Sequence, residues 1–390
     1  MSQMANAATV RRVHAAVIGT GFVGPHHVDA VRRTGYADVD VLVGSDPART
    51  SRHAAELGVD RWSMDVGAVL GDPRIDVIHV CTPNSTHVEL ARATLEAGKH
   101  LVLEKPIAID RGGADDLVDA AARSGRHAMV ALTYRGYPMI RRARAAVADG
   151  EVGEIRLIHG SYLQDWLADP ADYNWRVDPE VGGRSRAVAD IGTHWFDTAE
   201  FVTGLRVEAV LADFVTLIPT RLRSLGGGTA FASGAGPTES VQVESEDAAT
   251  MLLRFEGGVR GVCVVSQVST GHKNALALNV DGAATSISWE QESPERLWLR
   301  ARHAARLVVR DPGDQQAEAG IPSLPAGHPE GWGEALRDLL RPFYAAVASG
   351  EAPSSGEAPY PTLKDGARGV AFVEAALESS GSGSWISLSR

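Results

Sequence analysis

Val13-His14-Ala15-Ala16-Val17-Ile18-Gly19-Thr20-Gly21-Phe22-Val23-Gly24 sets the architecture of the first third of the chain. Its first six residues, short and apolar, read as a strand buried on both faces, and a helix follows from near Pro25. The glycines between them spell G-x-G-x-x-G. The first permits a tight turn, the second lets backbone approach a pyrophosphate, and the third lets helix and strand pack closely with the helix N-terminus facing the anion. Gly19, Gly21, Phe22, Val23 and Gly24 are therefore candidate cofactor-binding residues. Asp46 follows the next strand, 22 positions after Gly24. An acid there accepts hydrogen bonds from both ribose hydroxyls and repels a 2′-phosphate, which favours NAD over NADP; Arg49 nearby weighs the other way. The plainer alternative makes Asp46 a surface residue opening the turn Asp46-Pro47.

On either side of this turn, strand and helix patterns alternate. Val13–Ile18, Val39–Val43, Ile75–Cys81, His100–Leu103 and His127–Leu132 read as strands, and Thr86–Ala97 as a helix ended by Gly98, with Gly58, Gly125 and Gly150 at similar helix ends. Such alternation predicts a doubly wound parallel sheet, a Rossmann domain over residues 1–133. After Gly150 the runs lengthen and alternate apolar with polar residues: Glu154–Leu163, Val207–Leu217, Val241–Phe255, Val259–Ser269, Ala275–Val280 and Thr285–Trp289. They predict a mostly antiparallel sheet in an α+β domain over 134–390. A helix is expected at Ala187–Val202 and a last one at Leu363–Leu377. The Gly-, Ser- and Ala-rich stretch Ser224–Thr238 reads as a mobile loop, and Gly350–Pro361 as a linker.

Composition narrows the function classes. The 390 residues allow two or three domains, and 38 Lys plus Arg against 49 Asp plus Glu give −11, the wrong sign for binding a phosphate backbone without sequence preference. Glycine, 41 residues, exceeds the ~7% typical of globular chains. Cys81 and Cys263 lie far apart in apolar surroundings, so neither a disulfide framework nor a thiolate metal site is expected, and a reducing cytoplasm is the natural compartment. No apolar run reaches the ~18 residues of a membrane span. The run after Arg11-Arg12 is too short for an export signal.

Two further motifs lie at carboxyl ends of the parallel strands, where open α/β sheets bind ligands: Cys81-Thr82-Pro83-Asn84-Ser85-Thr86-His87 and Glu104-Lys105-Pro106. With the glycine turn and Asp190-Ile191-Gly192-Thr193-His194, similar to a D-x-G-x-H motif, they make the chain resemble the Gfo/Idh/MocA family along nearly its whole length. The resemblance implies that Lys105, Asp190 and His194 form a catalytic group and that Thr82, Pro83, Asn84, His87, Glu104 and Pro106 shape the cofactor site. The chemistry agrees. Oxidising a secondary alcohol needs a base for the hydroxyl proton, a task suited to His194. Asp190, four residues earlier, shares its face if the segment is helical and could orient the imidazole, while Lys105 would stabilise alkoxide character. Singly, each has an ordinary alternative: a solvated lysine, a helix cap and a partly buried histidine.

Gly160-Ser161-Tyr162-Leu163-Gln164-Asp165-Trp166 and Asn174-Trp175-Arg176 join aromatic faces to directional polar groups, a mixture that suits a polyhydroxylated ring. Tyr134, Tyr162, Gln164, Asp165, Trp175 and Arg176 are candidate substrate contacts beside Lys105, Asp190 and His194, the alternative being core packing and structural ion pairs. The expected activity is NAD-dependent oxidation of a secondary hydroxyl of a sugar, glycoside, anhydrosugar or inositol. Two rivals are a glycosidase or lyase working through transient oxidation, and a non-catalytic dinucleotide sensor. The resemblance also implies a homodimer or homotetramer formed through the open sheet of the second domain.

Overall fold

The structure is a computed structural model that describes residues 11–225, 237–313, 324–353 and 358–388. The first domain holds β1 (Val13–Ile18), α1 (Val23–Arg33), β2 (Ala37–Val43), α2 (Pro47–Glu56), β3 (Arg61–Ser63), α3 (Val66–Leu70), β4 (Val77–Val80), α4 (His87–Glu96), β5 (His100–Leu103), α5 (Arg111–Ser124) and β6 (Ala128–Val130). The strands run parallel in the order β3-β2-β1-β4-β5-β6. The order reverses between β1 and β4, so a crevice opens at their carboxyl ends, where dinucleotides bind. Strand β3 is short and carries no apolar run, which is why its pattern is silent in the sequence.

Helix α6 (Pro138–Ala148) leads into the second domain: β7 (Ile155–Leu163), α7 (Pro179–Gly182), α8 (Thr193–Thr203), β8 (Val207–Val215), β9 (Thr220–Ser224), β10 (Thr238–Gln242), β11 (Ala248–Phe255), β12 (Arg260–Ser266), β13 (Ala275–Gly282), β14 (Ser286–Glu290), β15 (Arg296–Ala301) and β16 (Ala304–Val309). Helices α9 (Trp332–Ser349) and α10 (Leu363–Ser382) and the short β17 (Ile386–Ser387) complete the described chain. The large sheet runs β16-β15-β14-β13-β7-β12-β11-β8-β17, antiparallel except where β12 lies parallel to β7. Along β11, Ala249, Met251, Leu253 and Phe255 are buried while Thr250, Leu252 and Arg254 are exposed, the period-two pattern of a sheet with one covered face.

Several expectations shift. Val241–Phe255 is two strands, β10 ending at Gln242 and β11 beginning at Ala248. The ends of the expected loop Ser224–Thr238 are a ladder pair in the β9–β10 hairpin, and its interior, residues 226–236, lies outside the described residues. The expected helix Ala187–Val202 begins as a π-helical turn, Val188–Gly192, before α8. The chain also returns to its beginning. Leu336, Leu339, Leu340, Phe343, Tyr344 and Val347 of α9 pack with Val13, Val28 and Val31. Leu363 and Val370 of α10 join Ile78, Leu101 and Leu117 on the opposite face of the first sheet. The α9 residues recur at helical spacing; their partners are more than three hundred residues upstream. Among the described residues no helix is long and apolar enough to cross a membrane.

Candidate active site

At the glycine turn the backbone has no room for side chains on one side and open space on the other. A Cβ on Gly19, whose φ is +116°, would lie 2.3 Å from the Cys81 carbonyl oxygen, and one on Gly24 would lie 2.0 Å from that of Gly19. A Cβ on Gly21 would meet nothing within 4 Å. The turn is thus a cradle closed beneath by β4 and open above, which fits a pyrophosphate on backbone N–H groups. Asp46 caps α2, its Oδ1 accepting from Arg49 N at 2.6 Å, with Pro47 in the first turn. Capping and ribose binding are compatible, because the second carboxylate oxygen remains. Arg49 Nη2 lies 3.4 Å from Ser45 Oγ. Replacing Asp46 with alanine is expected to cost about 1 kcal/mol from the lost cap and to narrow the gap between NAD and NADP. Unchanged relative Kd values, measured by titration, would remove Asp46 from the cofactor site.

The two loops beside this turn are clamped together. His87 is fully buried, with Nδ1 2.7 Å from the Pro106 carbonyl and Nε2 2.9 Å from that of Thr82. It therefore ties the Thr82 and Glu104-Lys105-Pro106 loops together, with both ring nitrogens on backbone carbonyls. Thr82 bonds Thr86 through their hydroxyls at 2.6 Å. Asn84 Nδ2 donates to the Gly182 carbonyl at 3.0 Å, linking the Pro83 loop to the second domain. Glu104 is buried at the end of β5 and accepts from Lys105 N.

Lys105 reaches across to the π-helical turn, donating to the Asp190 carbonyl at 3.0 Å and to Oδ1 at 2.8 Å. Arg176 Nε also reaches Asp190 Oδ1, at 3.2 Å, and Gln267 Nε2 donates to Oδ2 at 2.9 Å. Lys105 and Arg176 outweigh burial and hold the Asp190 carboxyl well below the usual range. The π turn itself is anchored by buried Glu246, whose Oε1 accepts from Ser185 Oγ, Arg186 N and Val188 N. Wider turns of this kind often mark functional sites. The turn bears on the expected Asp190–His194 pair: Asp190 Oδ1 holds Lys105 and Arg176 and Oδ2 accepts from Gln267, while the carboxylate acts on the imidazole through its charge, favouring the protonated form.

His194 opens α8, which is fixed from below by fully buried Trp195, donating to the Ala277 carbonyl at 3.0 Å. Trp195 Nε1 lies 2.6 Å from where a Gly160 Cβ would be, so the glycine of β7 makes room for the helix. The His194 ring packs 4.8 Å from that of Tyr134. Burial, and then the charge of Lys105, lower its pKa to about 3, with Asp190 and Glu104 opposing. The imidazole is neutral across the physiological range and able to accept a proton.

The candidate substrate contacts divide. Tyr134 and Tyr162 are buried, their hydroxyls 2.5 Å apart; Tyr162 donates to Asn274 Oδ1, and Asn274 Nδ2 donates to Tyr134 at 3.3 Å. This closed circuit uses both hydroxyl protons and makes the pair a floor beneath His194. Gln164 donates to Asn274 at 2.9 Å and accepts from Trp166 at the same distance. Asp165 is committed to Lys273 Nζ at 2.7 Å and Gly271 N at 3.0 Å, so it fixes the 271–274 loop. Arg176 lies 4.5 Å above the Trp175 ring, at the site but as the ion-pair partner of Asp190. Gln267 and Asn274 join the site without any local sequence signal, since only the β7–β12 and β7–β13 registers bring them in.

Residues 13–132 match the NAD-binding Rossmann fold of the Gfo/Idh/MocA oxidoreductases, and 140–288 match that family's C-terminal domain. The chain belongs to the Gfo/Idh/MocA family. It is 29% identical to levoglucosan dehydrogenase of Pseudarthrobacter phenanthrenivorans, over 97% of this chain and 98% of that one. Inositol 2-dehydrogenase of Rhizobium meliloti is 26% identical over 94% of this chain and 96% of its own length. The solved structure of levoglucosan dehydrogenase with NADH and levoglucosan superposes with a TM-score of 0.87 at 27% identity, covering 97% of this chain and all, 100%, of that one. The first domain is thus an NAD-binding Rossmann domain.

Proposed function

We propose that the protein is an NAD-dependent dehydrogenase that oxidises a secondary hydroxyl of a sugar, glycoside, anhydrosugar or inositol. The observation that carries this reading is the convergence of Lys105, Asp190 and a neutral His194 beside the glycine cradle. When bound, the nicotinamide supplies the acceptor for the hydride. His194 takes the hydroxyl proton, because a neutral imidazole keeps an acceptor nitrogen. Lys105 donates to the oxygen as it gains alkoxide character, from a position fixed by Asp190. Asp190 keeps its charge through Lys105 and Arg176, so Lys105 stays anchored as the substrate oxygen changes. Trp175 offers a flat apolar face to a polyhydroxylated ring, while Arg176 and Gln164 shape its rim from positions held by Asp190, Asn274 and Trp166. The names of the levoglucosan and inositol relatives support the same substrate class.

An absorbance screen at the NADH band against inositols, free sugars, glycosides and anhydrosugars tests the reading. NADH is expected to accumulate with at least one of these groups; dinucleotide binding with no turnover on any of them would overturn it and favour a sensor.

The outer face of the large sheet carries exposed Leu157, Leu252, Val264, Trp298 and Leu307, an apolar spread that association would cover. A homodimer or homotetramer formed through this face is the reading it supports. Sedimentation at micromolar concentration checks it, a monomer being the contrary result.

A further inference from the structure

A line of polar side chains crosses the core of the first domain beneath the glycine cradle. His27 Nε2 lies 2.9 Å from Glu104 Oε1, His27 Nδ1 lies 2.8 Å from His79 Nδ1, and His79 Nε2 lies 2.7 Å from the Tyr344 hydroxyl. His27, His79 and Tyr344 are fully buried, and Glu104 is 7% exposed. The apolar cluster on this face of the sheet includes Val28, Val77 and Phe343, among which apolar side chains would pack at lower cost. The fold alone gives no reason for four polar groups here.

Counting protons limits the arrangement. A carboxylate facing His27 Nε2 requires that nitrogen to donate, and one proton lies between the facing Nδ1 atoms. In one pattern Tyr344 donates to His79, His79 donates to His27, and His27 donates to Glu104. In the other His27 is an imidazolium that donates to both neighbours. Both patterns serve an ionised Glu104, whereas a protonated acid would reverse the line, Glu104 donating to His27, His27 to His79 and His79 to Tyr344. The second oxygen of Glu104 accepts from Lys105 N at 3.1 Å, so the same carboxylate fixes the backbone of the residue that reaches Asp190. His27 and Lys105 outweigh burial and keep the Glu104 carboxyl below its ordinary range.

A dinucleotide held at Gly19–Gly24, with its adenosine end toward Asp46, extends along the carboxyl edge of the sheet toward the ends of β4 and β5. Its nicotinamide end must reach the space beside Lys105 and His194, and Glu104 lies at that edge. We propose that the His27–His79–Tyr344 line holds Glu104 as a fixed anion beneath the nicotinamide end, so that Glu104 favours the cationic oxidised cofactor over the reduced one. Glu104 is then a positioning residue that sets the balance between the two cofactor forms. The inference rests on the NAD-dependent reading above.

The test measures Kd for NADH by fluorescence and for NAD by competition, without substrate, in the full-length protein and in Glu104→Gln and Glu104→Asp. Glu104→Gln keeps the shape and an acceptor for His27 but removes the charge, so NAD is expected to bind about tenfold more weakly while NADH changes less than twofold. Glu104→Asp, which keeps the charge, is expected to leave the ratio of the two constants within twofold. Should Glu104→Gln not fold, His27→Phe carries the same test. It strips the carboxyl of its side-chain donor, the buried acid takes up a proton, and the ratio shifts the same way. Equal weakening of both forms, or no change in either, would overturn the inference; failure of the wild-type protein to bind either form would overturn the dehydrogenase reading instead.

Discussion

His194→Ala is expected to lower turnover by about two to four orders of magnitude, the usual worth of a positioned general base, while NADH binding stays within twofold. The site gives the hydroxyl proton no equivalent acceptor. Asp190, the other basic group close by, has both oxygens engaged by Lys105, Arg176 and Gln267, and the Tyr134 and Tyr162 hydroxyls are closed on each other and on Asn274. The cofactor cradle lies on other elements, the turn after β1 and the loops after β4 and β5, so its affinity has no reason to move. Structural damage is limited, because α8 is held by Trp195 and Gly160, independently of the imidazole. Steady-state kinetics, NADH titration and a thermal melt on the same preparation check these points. Turnover near that of the wild type would remove His194 from its role.

Lys105→Met is expected to cost about two to three orders of magnitude in kcat, the scale seen when a single donor to a developing oxyanion is removed. It also has a pH signature. Burial and then Lys105 lower the His194 pKa to about 3; removing the ammonium relieves the second cause, so the His194 pKa rises. The base is then protonated at a higher pH, and the acid limb of the residual activity moves up. Asp190 moves in the same direction, since Lys105 is the first of the charges that offset its burial. A carboxyl with a depressed folded-state pKa stabilises the protein above its unfolded value near 4 and loses that contribution as pH falls through the folded value. In the variant this loss begins at higher pH, so acid unfolding comes earlier. A pH–rate profile and acid melts follow both shifts. A profile that keeps its acid limb while kcat falls would assign Lys105 to substrate placement alone.

The parts of the fold carried by short-range pattern were legible in sequence. The glycine turn, the strand that leads into it and the helix ends at Gly98, Gly125 and Gly150 all reflect local backbone needs, and these three glycines have φ values of +71°, +63° and +77°. The motifs holding Lys105, Asp190 and His194 stood out through their resemblance to those of the Gfo/Idh/MocA family. What escaped depends on distant pairing. Gln267 meets Asp190 only because β12 lies beside β7, and α9 covers β1 after more than three hundred residues of intervening chain. The spacing of Asp190 and His194 suggested a shared helical face, yet the segment is a π turn, and Asp190 spends its hydrogen bonds on Lys105, Arg176 and Gln267. Asp165 and Arg176 have side chains suited to a sugar, but each already faces an ion-pair partner, Lys273 and Asp190. Residue type alone cannot distinguish those uses.

One measurement tests the central claim most directly: a stoichiometric assay with an anhydrosugar or inositol deuterated at the carbon to be oxidised, following NADH, sugar and isotope together. The account predicts one NADH for each sugar consumed, with the deuterium transferred to the nicotinamide and a ketone as product. Sugar consumed with no net NADH, through cleavage of a glycosidic bond, would contradict it.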